Sequence, residues 1–317
     1  MSTALSSAPA PPQPGARGRG RRATEAADRH AEMVRTRRLF LAPLTIVLGL
    51  LTVVPFVYSV VVSLTDKSGS GDTSFVGLAN YVDLLTDPQW WDAARVTAVF
   101  TVAVVAIEFL VAMAVAVALH RITRGAPLLR ALFLLPMAMA PVAALFNWRL
   151  MLNASSGVIN YLLGAVGLPQ PDWTGESSTA LASLVMVDVW QWTPFILVIL
   201  VGGLSAVPDD VYEAAAVDGA SGWQTFRHVT LPMLKPFILV ALLFRTIDAL
   251  KTFDSIQILT GGGPGSSTTT LNFYAFREGI SFLNFGRSAA AATLLLLLAI
   301  GLSRLLLHWL KEEEAVS

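Results

Sequence analysis

Four charged residues of alternating sign recur at every third position of one apolar segment: Arg245, Asp248, Lys251 and Asp254. On an α-helix this spacing turns by about 300° at each step, so the four side chains spread along one side of the helix. Arg245 can then pair with Asp248, and Lys251 with Asp254, across one turn. Such a stripe either holds its helix against its neighbours or lines a polar path, and the two interpretations are compatible.

Two carboxylates, Glu108 and Asp188, stand alone within other apolar segments. Ionisable groups in such segments usually face the interior of a helix bundle, where they need a partner or have a function. Arg149 or Arg245 could pair with them, and the sequence does not decide between these partners.

The segment around Asp188 also carries aromatic and amide side chains, Trp190, Gln191 and Phe195, beside Pro194. Proline removes a backbone hydrogen bond, which predicts a locally opened helix that lines a cavity. Aromatic faces next to hydrogen-bonding groups suit the CH face and the hydroxyl rim of a sugar ring. The alternative is that these aromatic residues pack within the bundle or face lipid.

The composition excludes several kinds of chemistry. The chain has no cysteine, which excludes disulfides, thiol nucleophiles and thiolate metal sites, and its four histidines are scattered. It contains no G-x-x-x-x-G-K-[ST] phosphate loop, and the glycine-rich stretch 261–265 lacks the Lys-Ser/Thr ending and predicts a turn. We therefore predict a chain that is not an enzyme and that holds no cofactor or metal of its own.

The elements that position these residues follow from the hydropathy. Hydrophobic residues make up 54% of the 317 residues and charged residues only 14%, against about 25% charged in soluble domains. About 20 apolar residues cross a membrane as a helix. The sequence therefore predicts an all-α, polytopic membrane protein. Its six predicted spans are residues 39–64, 96–119, 128–152, 179–205, 233–259 and 285–310.

Prolines predict kinks within the spans, and the composition outside the spans predicts the limits of the membrane domain. Pro136 and Pro141 predict kinks in the third span. Residues 1–38, rich in Arg, Pro and Ala, predict a disordered tail rather than a cleaved signal peptide. The permease domain then covers residues 39–312, and residues 313–317 form a short tail.

The distribution of Lys and Arg predicts the orientation. Fifteen of the 22 basic residues lie on one side of the predicted spans and four on the other, where the loops are acidic instead. Because basic residues favour the cytoplasmic side, both termini and the connection at 206–232 are expected in the cytoplasm.

The connection at 206–232 predicts two short helices at the inner face of the membrane. Pro208 followed by two aspartates is a helix start, and Asp218-Gly219 is a break. Ser221 can cap a second helix that ends before Leu231-Pro232. Without further information, such a segment could be a mere connector.

The same connection carries a spaced signature. The residues that carry it are Glu213, Ala214, Ala215, Gly219, Val229, Leu231 and Pro232. They match E-A-A-x3-G-x9-I-x-L-P, the signature of bacterial ABC importer permeases, with Val229 for Ile as the one departure. Residues 75–81, 245–254 and 259–264 are similar to carbohydrate permeases of the maltose-transporter type.

This resemblance implies roles for particular residues. The connection would be the coupling helix that docks on a cytoplasmic ATPase subunit. The residues assigned to coupling are Glu213, Ala214, Ala215, Asp218 and Gly219. The substrate path would lie between the fourth and fifth spans. The residues assigned to it are Trp190, Gln191, Phe195, Arg245, Asp248, Ala249 and Thr252.

The resemblance also implies partners and a location. The chain would act in the bacterial inner membrane with a second, homologous permease subunit, two ATPase subunits that bind ATP and Mg²⁺, and an external solute-binding protein. The expected substrate is a sugar, such as trehalose or a maltose-like disaccharide, and the expected contacts include membrane lipid but no nucleic acid.

One alternative is glycerol phosphate or another polar solute, since an anion would engage Arg245 whereas a neutral sugar would leave it paired with Asp248. Another is an ion-coupled secondary transporter, which usually has more spans and an internal repeat.

Overall fold

The computed structural model describes residues 16–69, 71, 73–120, 122 and 125–314, and over these residues it is helical, with only isolated bridges between extended residues. The predicted all-α fold class is confirmed. The helices are α1 Ala16–Ser63, α2 Ala79–Thr86, α3 Pro88–His120, α4 Ala126–Ala138, α5 Pro141–Met151, α6 Val158–Ala165, α7 Ser177–Ala206, α8 Asp209–Val217, α9 Gly222–Thr225, α10 Leu231–Leu250, α11 Asp254–Leu259, α12 Leu271–Phe276 and α13 Phe285–Glu314.

Four described helical stretches are long and apolar enough to cross a membrane. They are Phe40–Ser63 of α1, the whole of α3 and α7, and Phe285–His308 of α13. The pair α4 and α5 would make a fifth crossing if the two helices together count as one span. A count of six spans stays a prediction, because two of the six expected segments are interrupted.

The third expected span, 128–152, is two helices that meet at 88°. Met139 and Ala140 between them are extended, with ψ of 147° and 121°. Proline disfavours a helical conformation in the residue before it, so Pro141 forces Ala140 out of the helix. Pro136, by contrast, lies within α4. The kink predicted from Pro141 is therefore a sharp break.

The fifth expected span, 233–259, is also broken. Helix α10 ends at Leu250, and α11 begins at Asp254. The carbonyl of Lys251, which the break leaves without a helical partner, accepts a hydrogen bond of 2.6 Å from the side-chain amide of Asn272. Irregular backbone at membrane depth persists where protein groups satisfy it in this way.

The prediction of a second short helix ending before Leu231-Pro232 is wrong. Helix α9 runs through a π-helical turn, Phe226–Thr230, directly into α10. The amide of Leu231 bonds to the carbonyl of Phe226, five residues earlier. Pro232 has no amide hydrogen to donate, and the wider π turn accommodates its ring without ending the helix.

Helix α7 is continuous through Pro194, so the locally opened helix expected there does not form. The Thr193 hydroxyl donates to the carbonyl of Val189 at 2.6 Å. Thr193, Pro194 and their neighbours Ile196 and Leu197 are buried. The packing of α7 against other helices therefore outweighs the loss of one backbone hydrogen bond.

The chain divides into two compact units, residues 1–58 and 59–317. The first unit consists of α1 as far as Tyr58, preceded by residues 1–15, which lie outside the described residues. The disordered tail predicted for residues 1–38 therefore lies partly outside the described chain, and its described part is helical from Ala16. Arg and Ala, which are frequent there, both favour helices. The predicted C-terminal tail lies largely outside the described residues, since α13 continues to Glu314.

The second unit has its core where α3, α7 and α10 meet. One buried cluster lies toward the ends of α3 and α7 and the start of α10, and includes Ala112, Leu200 and Leu234. A second cluster, which includes Val104 and Val187, lies toward the start of α3 and α7. Small residues allow the helices to approach closely: a Cβ added to Gly203 would lie 2.7 Å from Phe237.

A third buried cluster joins the starts of α3 and α13 to α12. The Tyr274 hydroxyl donates to Asp87 at 2.9 Å, and Arg287 also pairs with Asp87. Burial raises the pKa of Tyr274, so its hydroxyl stays protonated. The ring of Trp90 packs edge-on against Tyr274 with 5.7 Å between centroids. This cluster fixes the outer end of the unit in the predicted topology.

Candidate functional site

Arg245 lies at the centre of a charged cluster between the two main apolar clusters. Its Nε donates to Glu108 Oε2 at 2.6 Å, and its Nη2 donates to Glu108 Oε1 at 2.9 Å. A second carboxylate, Asp188, also pairs with Nη2. The Asp248 carboxylate accepts from Nη1 at 3.3 Å. One guanidinium therefore joins α3, α7 and α10.

The burial of this cluster makes the pairing strong. Arg245 is 2% exposed, Glu108 0% and Asp188 4%. Buried charges are tolerated only when they are paired and hydrogen-bonded, and a bidentate guanidinium provides both. The predicted Arg245–Asp248 pair is confirmed, and the partner of Glu108 and Asp188 that the sequence left open is Arg245.

The other predicted pair is wrong. Lys251 Nζ lies 3.6 Å from Asp248 Oδ1, and among the ion pairs of the described residues none joins Lys251 to Asp254. The three-residue spacing assumed a continuous helix, but α10 ends at Leu250. Asp254 therefore belongs to the next helix, in its first turn.

A polar cavity of about 240 Å³ opens beside the charged cluster. The polar side chains in its wall come mainly from the end of α10 and the break that follows, and from α7. They are Asp188, Gln191, Asp248, Lys251, Thr252, Asp254 and Ser255. Hydroxyl, amide and carboxylate groups that converge on one space can hydrogen-bond a polyhydroxylated ligand.

A second cavity of about 230 Å³ shares Trp192, Asp248 and Lys251 with the polar cavity. The rest of its lining is mainly apolar and aromatic and consists of Phe195, Phe244, Ile247 and Arg245. Aromatic rings of this kind offer flat apolar contact area.

The structure brings together five of the seven residues predicted for the substrate path. Gln191 and Thr252 line the polar cavity, Phe195 and Arg245 line the apolar one, and Asp248 lines both. The other two lie elsewhere. Trp190 packs edge-on against Trp148 with 5.4 Å between centroids. Ala249 is buried in the second apolar cluster.

Trp192 lines both cavities but is not among the residues predicted for the substrate path. The helical spacing carried a signal, because Asp188, Trp192 and Phe195 stand at positions i, i+4 and i+7 and so share one face of α7. The Arg245 guanidinium lies over the indole ring of Trp192, 5.9 Å from the ring centroid.

A second candidate site is the surface of α8, where the residues predicted for coupling lie. Helix α8 has acidic residues in its first turn and no buried residue. Its end is a Schellman motif: the amide of Ala220 bonds to the carbonyl of Ala215, and the amide of Gly219 bonds to that of Ala216. Gly219 has φ of +72°, which is the left-handed conformation that this motif requires.

The α8 surface carries the features of a docking surface. Glu213 and Ala214 are exposed, and Val217 is 87% exposed. Trp223 of α9 is 66% exposed and stacks on Phe226. Large apolar residues concentrated on an otherwise polar surface are typical of protein–protein contacts. The predicted Ser221 cap is confirmed, with a complete capping box to Gln224.

Comparison with known proteins places this arrangement among membrane transport proteins. Residues 128–311 match the profile of the family described as binding-protein-dependent transport system inner membrane component. The chain is 39% identical over 239 residues to the trehalose/maltose transport system permease protein MalF of Thermococcus litoralis, covering 75% of this chain and 81% of that protein. It is 36% identical over 280 residues to the trehalose transport system permease protein SugA of Mycobacterium tuberculosis, covering 87% and 89%.

The fold is also found among solved structures. A chain in the crystal structure of a bacterial alginate ABC transporter, in complex with an alginate pentasaccharide-bound periplasmic protein, superposes with a TM-score of 0.77. The match covers 88% of this chain and 95% of that chain at 20% identity. At this identity the likeness concerns the fold.

Proposed function

The chain belongs to the family of binding-protein-dependent transport system inner membrane components, and from this premise we propose that it forms part of the path by which a neutral sugar crosses the membrane. It is a multi-pass permease subunit of an ABC importer, a transport component rather than an enzyme. The observation that carries the proposal is the polar cavity between α7 and the end of α10, beside the Arg245 cluster.

The charges around the cavity favour a neutral substrate over an anion. Arg245 is already paired with three carboxylates, so its guanidinium has little capacity left for a phosphate or carboxylate ligand. Lys251 is 64% exposed and offset by Asp248. Asp188, Asp248 and Asp254 all border the same space and would repel an anion. Two relatives carry trehalose or maltose in their names, which supports a glucose-containing disaccharide.

The remaining subunits follow from the same proposal. A second permease subunit completes the path, an external binding protein delivers the sugar, and two cytoplasmic ATPase subunits bind ATP and Mg²⁺. Both termini of this chain and α8 face the cytoplasm. Helix α8 docks on an ATPase subunit: Glu213 faces a basic group there, while Ala214 and Ala215 permit close approach.

The mechanism is alternating access. Closure of the ATPase subunits moves α8. The Schellman end of α8 leads into the continuous α9–α10 helix, which connects α8 to the cavity wall. Since Arg245 joins α10 to α3 and α7, these three helices move as one body. As this body moves against the second permease subunit, the cavity is exposed first to the outside and then to the inside, and no covalent step occurs in this chain.

The test is uptake of radiolabelled trehalose and maltose into vesicles that contain the complete importer. We expect uptake that requires both ATP and the binding protein. The double variant Glu213→Lys with Gly219→Pro should abolish uptake while the two permease subunits still assemble in the membrane. Gly202→Ala is the matched control, since nothing lies within 4 Å of the added Cβ.

Three results would contradict the proposal. Uptake that continues without ATP would indicate an ion-coupled transporter. Full uptake by the Glu213→Lys, Gly219→Pro variant would exclude α8 as the coupling element. Uptake of glycerol phosphate in place of either sugar would overturn the neutral substrate.

A further inference from the structure

Helix α6, Val158–Ala165, presents an apolar stripe away from the rest of the protein. The stripe consists of residues at positions i, i+3, i+4, i+7 and i+8, which share one side of a helix. They are Val158, Tyr161, Leu162, Ala165 and Val166. All five are exposed, and Tyr161, Leu162 and Val166 reach 75%, 59% and 70%. Large apolar side chains that are exposed together on one face indicate a contact surface.

The opposite side of α6 holds the helix to the protein through a polar residue. Asn160 is 3% exposed, and its side-chain amide donates to the carbonyls of Ala154 and Pro171 at 3.0 Å each. The indole of Trp173 donates to the side-chain oxygen of Asn160 at 2.8 Å. Ile159 packs against the second apolar cluster. A surface helix in water turns its apolar side inward, whereas α6 is fixed with an amide inward and the apolar stripe outward.

The place of α6 in the fold brings the stripe to the end of a membrane-spanning helix. Trp173, which bonds to α6, also accepts through its carbonyl a hydrogen bond of 2.7 Å from the Ser183 hydroxyl near the start of α7. Helix α7 is long enough to cross a membrane, and α8 follows its other end. With eight residues, α6 is about 12 Å long and too short to cross. It therefore lies beside the start of α7, at the end of the bundle opposite α8.

The composition of the region favours lipid over a protein partner as the occupant of the stripe. No charged residue lies between Arg149 and Asp172, whereas the contact surface of a soluble partner is about as polar as the rest of a protein surface. Contacts between helices of two membrane subunits are enriched in small residues, but the stripe consists mainly of large ones. Tyrosine is enriched where a membrane meets water. In the preceding helix α5, Phe146 and Leu150 are exposed one turn apart and extend this apolar surface along the chain.

We infer that α6 is an interfacial helix that binds the lipid bilayer. It lies along the membrane surface at the end of the bundle opposite α8, with its stripe between the lipid headgroups and the ends of the acyl chains. Through Asn160, Trp173 and Ser183, its inner side then fixes the start of α7 at a defined depth in the membrane. The inference goes beyond the proposed sugar transport and holds for any transported solute.

The absence of cysteine from the chain allows a direct test. Tyr161→Cys, Leu162→Cys and Val166→Cys each place one thiol on the stripe, and a nitroxide spin label is attached to it. The complete importer is reconstituted into vesicles of phosphatidylcholine and phosphatidylglycerol. Electron paramagnetic resonance then measures collisions of the label with oxygen, which partitions into lipid, and with a water-soluble nickel chelate.

Three further positions provide matched controls. Val102→Cys reports on lipid, because Val102 is 68% exposed within the spanning helix α3. Ser266→Cys reports on water, because Ser266 is exposed in the loop between α11 and α12. Ile159→Cys reports on the inner side of α6, which packs against protein. The ATPase activity that the binding protein stimulates shows that each labelled variant is intact.

We expect the ratio of oxygen to nickel collisions at the three stripe positions to exceed that at Ser266→Cys by about threefold or more, since an interfacial helix is buried about 5–10 Å into the membrane. The ratio should stay below that at Val102→Cys, which lies within the spanning helix α3. Ile159→Cys should collide little with either reagent. The values at the stripe should be the same with and without the binding protein.

Several outcomes would overturn the inference. A ratio at the stripe equal to that at Ser266→Cys would place α6 in water. Few collisions with either reagent would show that the second permease subunit covers the stripe, and a loss of collisions on addition of the binding protein would identify a docking surface for that protein. Loss of ATPase activity in all three stripe variants would indicate a close protein contact that the label disrupts. Absence of ATP-dependent uptake by the wild-type importer would overturn the proposed function but leave the collision rates unchanged.

Discussion

Arg245 donates through Nε to Glu108 Oε2 at 2.6 Å, although the two residues lie 137 positions apart in the chain. The same guanidinium also pairs with Asp188, so that three long helices, α3, α7 and α10, share one buried ionic contact. Two of these helices, α7 and α10, contribute to the wall of the polar cavity. The cluster therefore sets the separation of α7 and α10 on which the site depends.

The first prediction concerns the removal of Arg245. Arg245→Met leaves Glu108 and Asp188 buried without a cation, and breaking a buried pair in this way costs about 3–5 kcal/mol. We expect a lower midpoint of thermal unfolding for the complex in detergent, together with poor assembly. Glu108→Gln should cost much less, because the guanidinium keeps Asp188.

The control for this prediction is Lys251→Met. It removes the same charge from a residue that is 64% exposed, where an ion pair contributes about 0–1 kcal/mol. Equal unfolding midpoints for Arg245→Met and Lys251→Met would show that the buried cluster does not stabilise the bundle.

The second prediction compares two adjacent glycines in α7. A Cβ on Gly203 would lie 2.7 Å from Phe237 and 2.8 Å from Leu234, whereas one on Gly202 would have no atom within 4 Å. Gly203→Ala forces α7 and α10 apart, at a cost of about 1–3 kcal/mol. Gly202→Ala should be neutral or slightly stabilising. Thermal unfolding of the two variants checks this, and a Gly203→Ala variant as stable as wild type would contradict the close approach.

The third prediction uses the left-handed conformation of Gly219. Gly219→Ala places a Cβ where it costs about 1–2 kcal/mol, and Gly219→Pro cannot adopt φ of +72° at all. The ATPase activity that the binding protein stimulates should fall moderately in the Gly219→Ala variant and be lost in the Gly219→Pro variant. Asn tolerates this conformation, so Gly219→Asn should keep activity. Loss of activity in Gly219→Asn equal to that in Gly219→Pro would point to a role other than backbone conformation.

The fourth prediction concerns the exposed apolar residues near α8. If Val217 and Trp223 are buried on docking to an ATPase subunit, Trp223→Ala should raise the dissociation constant of that subunit by about tenfold or more. Val217→Asp should act in the same direction. Binding of the purified ATPase subunit to the permease complex in detergent measures this. Tyr161→Ala, which removes an aromatic residue that is 75% exposed elsewhere, should leave binding unchanged.

Retained affinity in both Trp223→Ala and Val217→Asp would exclude this surface as the docking site. Trp223 also stacks on Phe226, with 5.5 Å between the ring centroids, so the unfolding midpoint of each variant should be measured in parallel.

The sequence by itself determined the all-α class, the multi-pass membrane character, the family and the local structure of the 206–232 connection as far as the Ser221 cap. These features depend on properties read over short distances: apolar runs, the Pro208 start of α8, the Gly219 end and the Ser221 cap. The same local rules failed where a neighbouring element supplied a missing hydrogen bond or a compensating contact. Helix α7 continues through Pro194, the chain continues as a helix through Pro232, and α10 ends at Leu250, where Asn272 bonds to the freed carbonyl of Lys251.

Only the tertiary structure decided the partners of the charged residues and the composition of the candidate site. The sequence placed Glu108, Asp188 and Arg245 on three separate helices but could not give the rotation of each helix about its axis. Packing of small and large side chains between α3, α7 and α10 fixes that rotation. The resulting rotation turns the side chains of Glu108, Asp188 and Arg245 toward one another and buries Ala249. It also packs Trp190 against Trp148 and places Trp192 in the lining of both cavities. A helix that spans a membrane can carry its polar face in any direction, and its neighbours determine which one.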